Sequence, residues 1–252
     1  MVDRPNVIVK RTPSQASTEA FQRIAKFASD AVEQRGKFSI ALAGGTTPRM
    51  LYQTMAQGGN AEQIPWDRTD VFFGDERDVP HDDVESNYHM AQRALLDHVP
   101  IQPDRVYPMP ANAEDLDSAA AEYEQTIRRV VPEGPDGVPQ LDVVLLGMGG
   151  DGHTASLFPE TEVLKEDKKL VASHFVEMLG RNRMTFTYPL INSARHVMVL
   201  VTGEDKADTI AKALGPDEPV RPLPIACVHP TGGEITFVLD YGAARNIEDQ
   251  PQ

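Results

Sequence analysis

An aspartate and a histidine stand two residues apart in the loop Gly147-Met-Gly-Gly-Asp-Gly-His-Thr-Ala-Ser-Leu-Phe-Pro159. At that spacing the Asp151 carboxylate can orient the His153 imidazole or raise its basicity, the arrangement that general acid–base catalysis uses. A lone histidine is more often a hydrogen-bonded structural residue. The glycine-rich setting after an apolar run reverses that preference, because glycines fold a loop tightly enough to present both side chains to a crevice.

The same loop also satisfies the dinucleotide-binding spacing, Gly147-x-Gly149-x-x-Gly152. That fingerprint requires an immediate helix and an acidic residue closing the next strand. Here Pro159 interrupts the chain within two turns, and Glu166-Asp-Lys-Lys precedes the next apolar run. A nucleotide cofactor is not expected.

Two companion loops carry functional groups. Gly44-Gly-Thr-Thr-Pro48 suits phosphate: Gly44 and Gly45 permit close backbone approach, Thr46 and Thr47 offer hydroxyls, and a helix N-terminus adds N–H groups and a positive dipole end. It lacks the Gly-Lys-Ser/Thr ending of a Walker loop, and taken alone it reads equally as a strand-to-helix turn. Gly74-Asp-Glu-Arg77 puts Asp75, Glu76 and Arg77 after another apolar run. Glu76 reads as part of a solvated charge cluster. The planar guanidinium of Arg77 suits a carboxylate, a phosphate or a developing oxyanion. Further positive groups are Arg181, Arg183 and Lys206; each singly reads as a surface charge, but together they could supply a local positive field.

These loops need strands and helices to hold them. Apolar runs predict strands at Val7–Val9, Phe38–Ala43, Asp70–Phe73, Leu141–Leu146, Thr185–Thr187, His196–Val201 and Ile235–Leu239. Between them, helices are expected from Ser14 to Arg35 with Gly36 as stop, from Pro48 at the first helical position to about Gln57, and from a Ser86 cap through Leu96. Leu116–Val130 and Asp205–Leu214 read as two more. Strands alternating with helices indicate an α/β fold with an open, mostly parallel sheet. If the strands run parallel, the three loops lie at one sheet edge, where ligands of such sheets bind. The stretches Val99–Pro110, Pro132–Pro139 and Gly215–Pro224 read as surface connections, none of them a domain linker, so a single domain over residues 1–252 is expected.

Composition narrows the partners. Asp and Glu number 38 against 24 Lys and Arg, a formal charge of −14, which argues against nucleic acid or an anionic membrane but leaves a small anion possible. No apolar run approaches the roughly 18 residues of a membrane span, and no signal peptide is apparent. The lone Cys227 precludes an internal disulfide or cysteine-based metal cluster, and His81 and His89 lack carboxylates at ligand spacing. There is no G-x-S-x-G elbow, so a serine nucleophile is not expected. A cytoplasmic protein requiring neither metal nor cofactor is the resulting expectation.

The segments Leu42-Ala-Gly-Gly-Thr-Thr-Pro48, Gly74-Asp-Glu-Arg-x-Val-Pro80 with Ser86-Asn87, and Gly147 to Pro159 resemble, in order and spacing, the motifs of 6-phosphogluconolactonases. Arg181-x-Arg-x-Thr-x-Thr187 and Gly203-x-x-Lys206 resemble family elements less distinctly. The resemblance implies a modified Rossmann-like fold with helices on both sheet faces, and hydrolysis of 6-phospho-D-glucono-1,5-lactone to 6-phosphogluconate in the oxidative pentose phosphate pathway. It further implies His153 as acid–base, Asp151 orienting it, Arg77 at the oxyanion, and a substrate bound through Gly44, Gly45, Thr46, Asp75, Arg181, Arg183 and Lys206. A monomer or small homo-oligomer is expected. The related glucosamine-6-phosphate deaminase/isomerases have a loop like Asp-Gly-His-Ile-Ala-Phe-Asn-Glu and an Asp-Glu-Tyr sequence; Phe158 and Arg77 stand at those places here, which points to the lactonase. A sugar-phosphate-binding module without catalysis is the third reading, disfavoured by retention of both Asp151 and His153.

Overall fold

The computed structural model describes residues 5–215 and 222–247. Its strands are β1 (Asn6–Lys10), β2 (Phe38–Leu42), β3 (Thr69–Phe73), β4 (Asp75–Arg77), β5 (Val143–Leu146), β6 (Val171–Val176), β7 (Arg181–Phe186), β8 (His196–Val201) and β9 (Glu234–Asp240). The helices are α1 (Pro13–Arg35), α2 (Thr46–Met55), α3 (Gly58–Ala61), α4 (Asn87–Ala94), α5 (Leu116–Val130), α6 (Tyr188–Ser193) and α7 (Ala207–Leu214).

Six strands form one sheet in the order β1-β9-β8-β5-β2-β3, and every pairing is parallel. β2, β3 and β5 are buried at every residue, as expected of strands covered on both faces. From β2 the chain steps outward to β3, and β5 then lies on the opposite side of β2. The order therefore reverses between β2 and β5, and a crevice opens at such a switch point beyond the carboxyl ends.

Local chemistry sets the helix ends. The Thr12 side chain accepts from Gln15 N, Pro13 occupies the first turn, and Gly36 closes α1 in the left-handed region at φ 75°. Ala16, Ala20, Ile24, Ala28 and Ala31 form the buried stripe of α1 at helical spacing. α2 starts directly after Gly45, so its N-terminus faces the crevice. Pro48 is its third residue rather than its first; the first-turn N–H groups have no intrahelical acceptor, so the proline costs nothing there. The helix capped by Ser86 ends at Ala94, two residues short of expectation, where Leu95 leaves helical geometry.

A second sheet, β4-β7-β6, is antiparallel and was not expected. Of the expected strand Thr185–Thr187, Thr185 and Phe186 form the end of β7 and Thr187 caps α6. Gly74 carries the chain from β3 straight into β4, and its carbonyl accepts from Phe186 N at 2.8 Å. The small sheet thus overhangs the carboxyl edge of the large one. Smaller boundary shifts occur too: β5 begins at Val143 and not Leu141, and Glu204–Lys206 is a 3-10 turn ahead of α7. Part of the expected connection Gly215–Pro224 lies outside the described residues.

At the opposite edge, buried Asp142 accepts from Ser39 N at 2.8 Å, Ser39 Oγ at 3.0 Å and Arg35 Nη2 at 2.9 Å, with Arg195 Nε at 3.4 Å. It ties β2, the start of β5 and α1 together where the polar ends of the strands would otherwise lack partners.

Candidate active site

The crevice beyond β2 and β5 has a volume of about 390 Å³, within the usual range for small-ligand sites. Four strand ends contribute to it. Gly44, Gly45 and Thr46 follow β2, Asp75 and Arg77 form β4 after β3, Gly147 to Phe158 follows β5, and Thr202 and Lys206 follow β8. Arg183 enters from β7. The expected residues Gly44, Gly45, Thr46, Asp75, Arg77, His153, Arg183 and Lys206 thus share one cavity. Arg181 does not line it: its exposed side chain pairs with Glu85.

The loop after β5 is built tightly. Gly149 N donates to His153 O at 2.9 Å, and Thr154 Oγ1 donates to Gly147 O at 2.9 Å. A Cβ at Gly149 would stand 2.2 Å from the His153 ring, so this position requires glycine. Asp151 Oδ1 accepts from His153 N at 3.2 Å and lies 2.6 Å from His153 Nδ1. An ionised carboxylate only accepts, so Nδ1 carries the hydrogen and Nε2 is left with its lone pair. Phe158, buried, packs on the imidazole with ring centroids 4.3 Å apart. The ring is thus fixed from two sides.

Asp75 is held just as firmly. Its Oδ2 accepts from Ser156 Oγ at 2.7 Å, and its Oδ1 and main-chain oxygen accept from Asn87 Nδ2 at 3.2 and 2.9 Å. The Asn87 amide also fills the space a Cβ at Gly44 would need, with Oδ1 only 1.9 Å from that position. One asparagine therefore spaces the phosphate-suited loop from β4. Glu76 is fully buried, contrary to its reading as a solvated charge. It accepts from Arg77 N, Asn87 N and Tyr88 N, each at 2.8 Å, and from Ser86 Oγ at 2.9 Å. Those bonds lock the first turn of α4 against β4.

Cations dominate the lining. Arg77, Arg183 and Lys206 face a single lining carboxylate, Asp75, in a chain of net charge −14. Arg77 lies directly opposite Arg183 across the β4–β7 ladder. Burial pushes the Arg183 guanidinium below its ordinary value, and nearby Arg77 adds to the shift. Arg77 Nη1 donates to the Glu85 carbonyl, and Lys206 pairs with Asp205 at 3.0 Å. Thr47 and Thr202 hydroxyls meet at 2.8 Å and join the loops after β2 and β8. Among the described residues no cluster of three or more metal-binding side chains occurs.

Sequence reasoning missed Asn87, Ser156 and Thr202 as site residues. Thr202 had a usable signal, since it follows a fully apolar strand as the other loops do. Asn87 and Ser156 stood inside the quoted motifs, but their contacts with Asp75 lie 12 and 81 residues away in the chain and could not be read from the spacing.

An open parallel sheet with a cation-lined crevice and an aspartate-oriented histidine defines an α/β protein with an acid–base site suited to an anionic ligand. Residues 11–237 match the family of glucosamine-6-phosphate isomerases/6-phosphogluconolactonases. The chain is 40% identical over 217 residues to a 6-phosphogluconolactonase from a Nostoc species, covering 86% of this chain and 88% of the relative. It is 41% identical over 223 residues to 6-phosphogluconolactonase of Mycobacterium tuberculosis, covering 86% and 88%. The solved 6-phosphogluconolactonase from Trypanosoma brucei superposes with a TM-score of 0.84 at 31% identity, covering 97% of this chain and 99% of that one. The chain belongs to the glucosamine-6-phosphate isomerase/6-phosphogluconolactonase family.

Proposed function

We propose that this protein hydrolyses 6-phospho-D-glucono-1,5-lactone to 6-phosphogluconate, in the oxidative pentose phosphate pathway and in the cytoplasm. The observation that carries the reading is the 2.6 Å contact between Asp151 and His153 inside a crevice lined by three cations. Relatives named 6-phosphogluconolactonase over most of their length support it. For the location, no described helix is long and apolar enough to cross a membrane, and a single cysteine suits a reducing compartment.

The lactone is an ester whose leaving group is its own ring oxygen. His153 Nε2 takes a proton from water as the water oxygen bonds to the carbonyl carbon, and Asp151 stabilises the imidazolium that forms. Arg77 stabilises the oxyanion. When the carbonyl re-forms, the bond to the ring oxygen breaks and His153 returns its proton there, giving the acid and a free hydroxyl. The phosphate sits at Gly44, Gly45 and Thr46 on the N-terminus of α2, with Arg183 and Lys206 supplying charge. None of these steps calls for a metal or cofactor.

Deamination of glucosamine 6-phosphate is the other family chemistry. Phe158, packed on the His153 ring, disfavours it, because an apolar side chain stands at the chain position where those enzymes carry the supporting carboxylate. Two assays separate the readings. With fresh 6-phosphogluconolactone the protein should accelerate lactone loss far above the spontaneous rate, and with glucosamine 6-phosphate it should release no ammonia. Lactone loss at the spontaneous rate would overturn the proposal.

A further inference from the structure

Ser156 lies three residues after His153, and each of its polar groups is held by a different strand of the small sheet. Its Oγ donates to Asp75 Oδ2 of β4 at 2.7 Å, its N donates to Thr185 Oγ1 of β7 at 3.1 Å, and its carbonyl lies 2.8 Å from His174 Nε2 of β6. A carbonyl only accepts, so His174 Nε2 carries the hydrogen and donates. Its Nδ1 then bears a lone pair, and that atom is buried without a partner among the described residues. An orphaned buried nitrogen in a native fold asks for an explanation.

The register supplies one. Arg77 faces Arg183, and Arg183 faces His174, so the three side chains form a row across the sheet. Directly opposed residues of antiparallel strands project on the same face. A protonated imidazole would be a third positive charge in that row, and its Nδ1–H would have no acceptor. Burial, opposed by the bond to the Ser156 carbonyl and reinforced by Arg183, holds the His174 imidazole below its ordinary value. The residue therefore acts as a neutral donor from Nε2.

We propose that His174 is a positioning residue for lactone hydrolysis, its Nε2–H fixing the Ser156 carbonyl and through it the loop that presents His153. It touches no substrate. Asp75 and Thr185 hold the other two groups of Ser156, and His174 completes the grip. A loop free to shift would leave His153 misplaced relative to the bound lactone, and displacements of about 1 Å can cost about a hundredfold in rate. The inference rests on the lactonase reading.

The two short amides separate this role from mere packing. The Nε2 of glutamine reaches about where the imidazole Nε2 lies, whereas asparagine mimics only Nδ1. Full-length His174→Gln and His174→Asn proteins are assayed on fresh lactone beside the parent chain. We expect kcat of His174→Gln within about threefold of the parent, and kcat of His174→Asn about tenfold or more lower with KM changed less than about threefold, since binding groups are untouched. Parental kcat in His174→Asn, or an equal fall in both variants, would overturn the proposal. If His174→Asn does not fold, His174→Phe, which keeps an aromatic ring but no N–H, replaces it under the same criteria. A parent chain that fails to exceed spontaneous hydrolysis would instead indict the lactonase reading, so the two failures are distinguishable.

Discussion

His153 and Asp151 meet twice within one loop: the carboxylate oxygen Oδ1 accepts from both the backbone N and the Nδ1 of the same histidine. A single oxygen thereby sets where the residue sits and how its ring is turned. Removing the base and removing its support should then differ in degree. His153→Ala is expected to lower kcat by ~10²–10⁴-fold with KM little changed, and Asp151→Asn to lower it by a smaller factor. Steady-state kinetics on fresh lactone checks both, and near-normal turnover in His153→Ala would remove its role.

The arginines of β7 should separate cleanly. Arg183→Ala should raise KM markedly, about tenfold or more, because a half-buried cation is lost from the crevice. Arg181→Ala should leave both kinetic constants near parental, since exposed ion pairs contribute little and this one lies outside the cavity. Equal effects of the two would contradict the placement of Arg181.

Asn87 and Gly44 should behave as one unit. Gly44→Ala drives a Cβ into the Asn87 amide, and Asn87→Ala frees Asp75 and clears that space. Each single change should reduce kcat/KM. The double variant should be no worse than the poorer single one, a coupling of about 1 kcal/mol or more in a double-mutant cycle. Strict additivity would show that the two loops are not spaced by this contact.

Asp142 offers a stability test away from the chemistry. Asp142→Ala leaves Arg35 and Arg195 facing each other near the buried end of β5. Leaving buried donors without their acceptor costs about 1–3 kcal/mol. The urea midpoint should fall sharply while kcat of the remaining folded protein stays close to parental.

Acid should weaken the fold through two histidines. His174 and His196 are both held below the ordinary imidazole value of 6.5, in each case first by burial. Arg183 reinforces the shift for His174, while Glu234 opposes it for His196. A lowered folded value means the unfolded chain binds protons first, so stability falls as pH drops below 6.5 and levels off beneath the folded values. Urea midpoints from about pH 7 to about pH 5.5 should show this fall, and His196→Gln should reduce it.

The parallel sheet and its converging loops were legible because burial leaves its mark on composition. β2, β5 and β8 are nearly unbroken apolar runs, and each ends in glycine or small polar residues. The small sheet was not legible for the opposite reason. β4 is the acidic and basic triplet Asp75–Arg77, β7 opens with Arg181-Asn-Arg183, and β6 carries His174 beside an exposed Phe175. Their apolar residues are few and interrupted by charged or polar ones, so long-range pairing decides their extent and sets them in a separate sheet. Glu76 shows how this misleads: as text it is one more surface charge, yet four donors from its own strand and α4 bury it completely. The histidine–aspartate pair was readable because both partners lie in one short loop.

Arg77 and Arg183 sit side by side across a two-strand ladder, and like charges so opposed work against the sheet that carries them. A phosphate held beside Arg183 offsets part of that repulsion. By mass action, an anion bound there adds stability to the folded chain by an amount set by its concentration relative to its Kd.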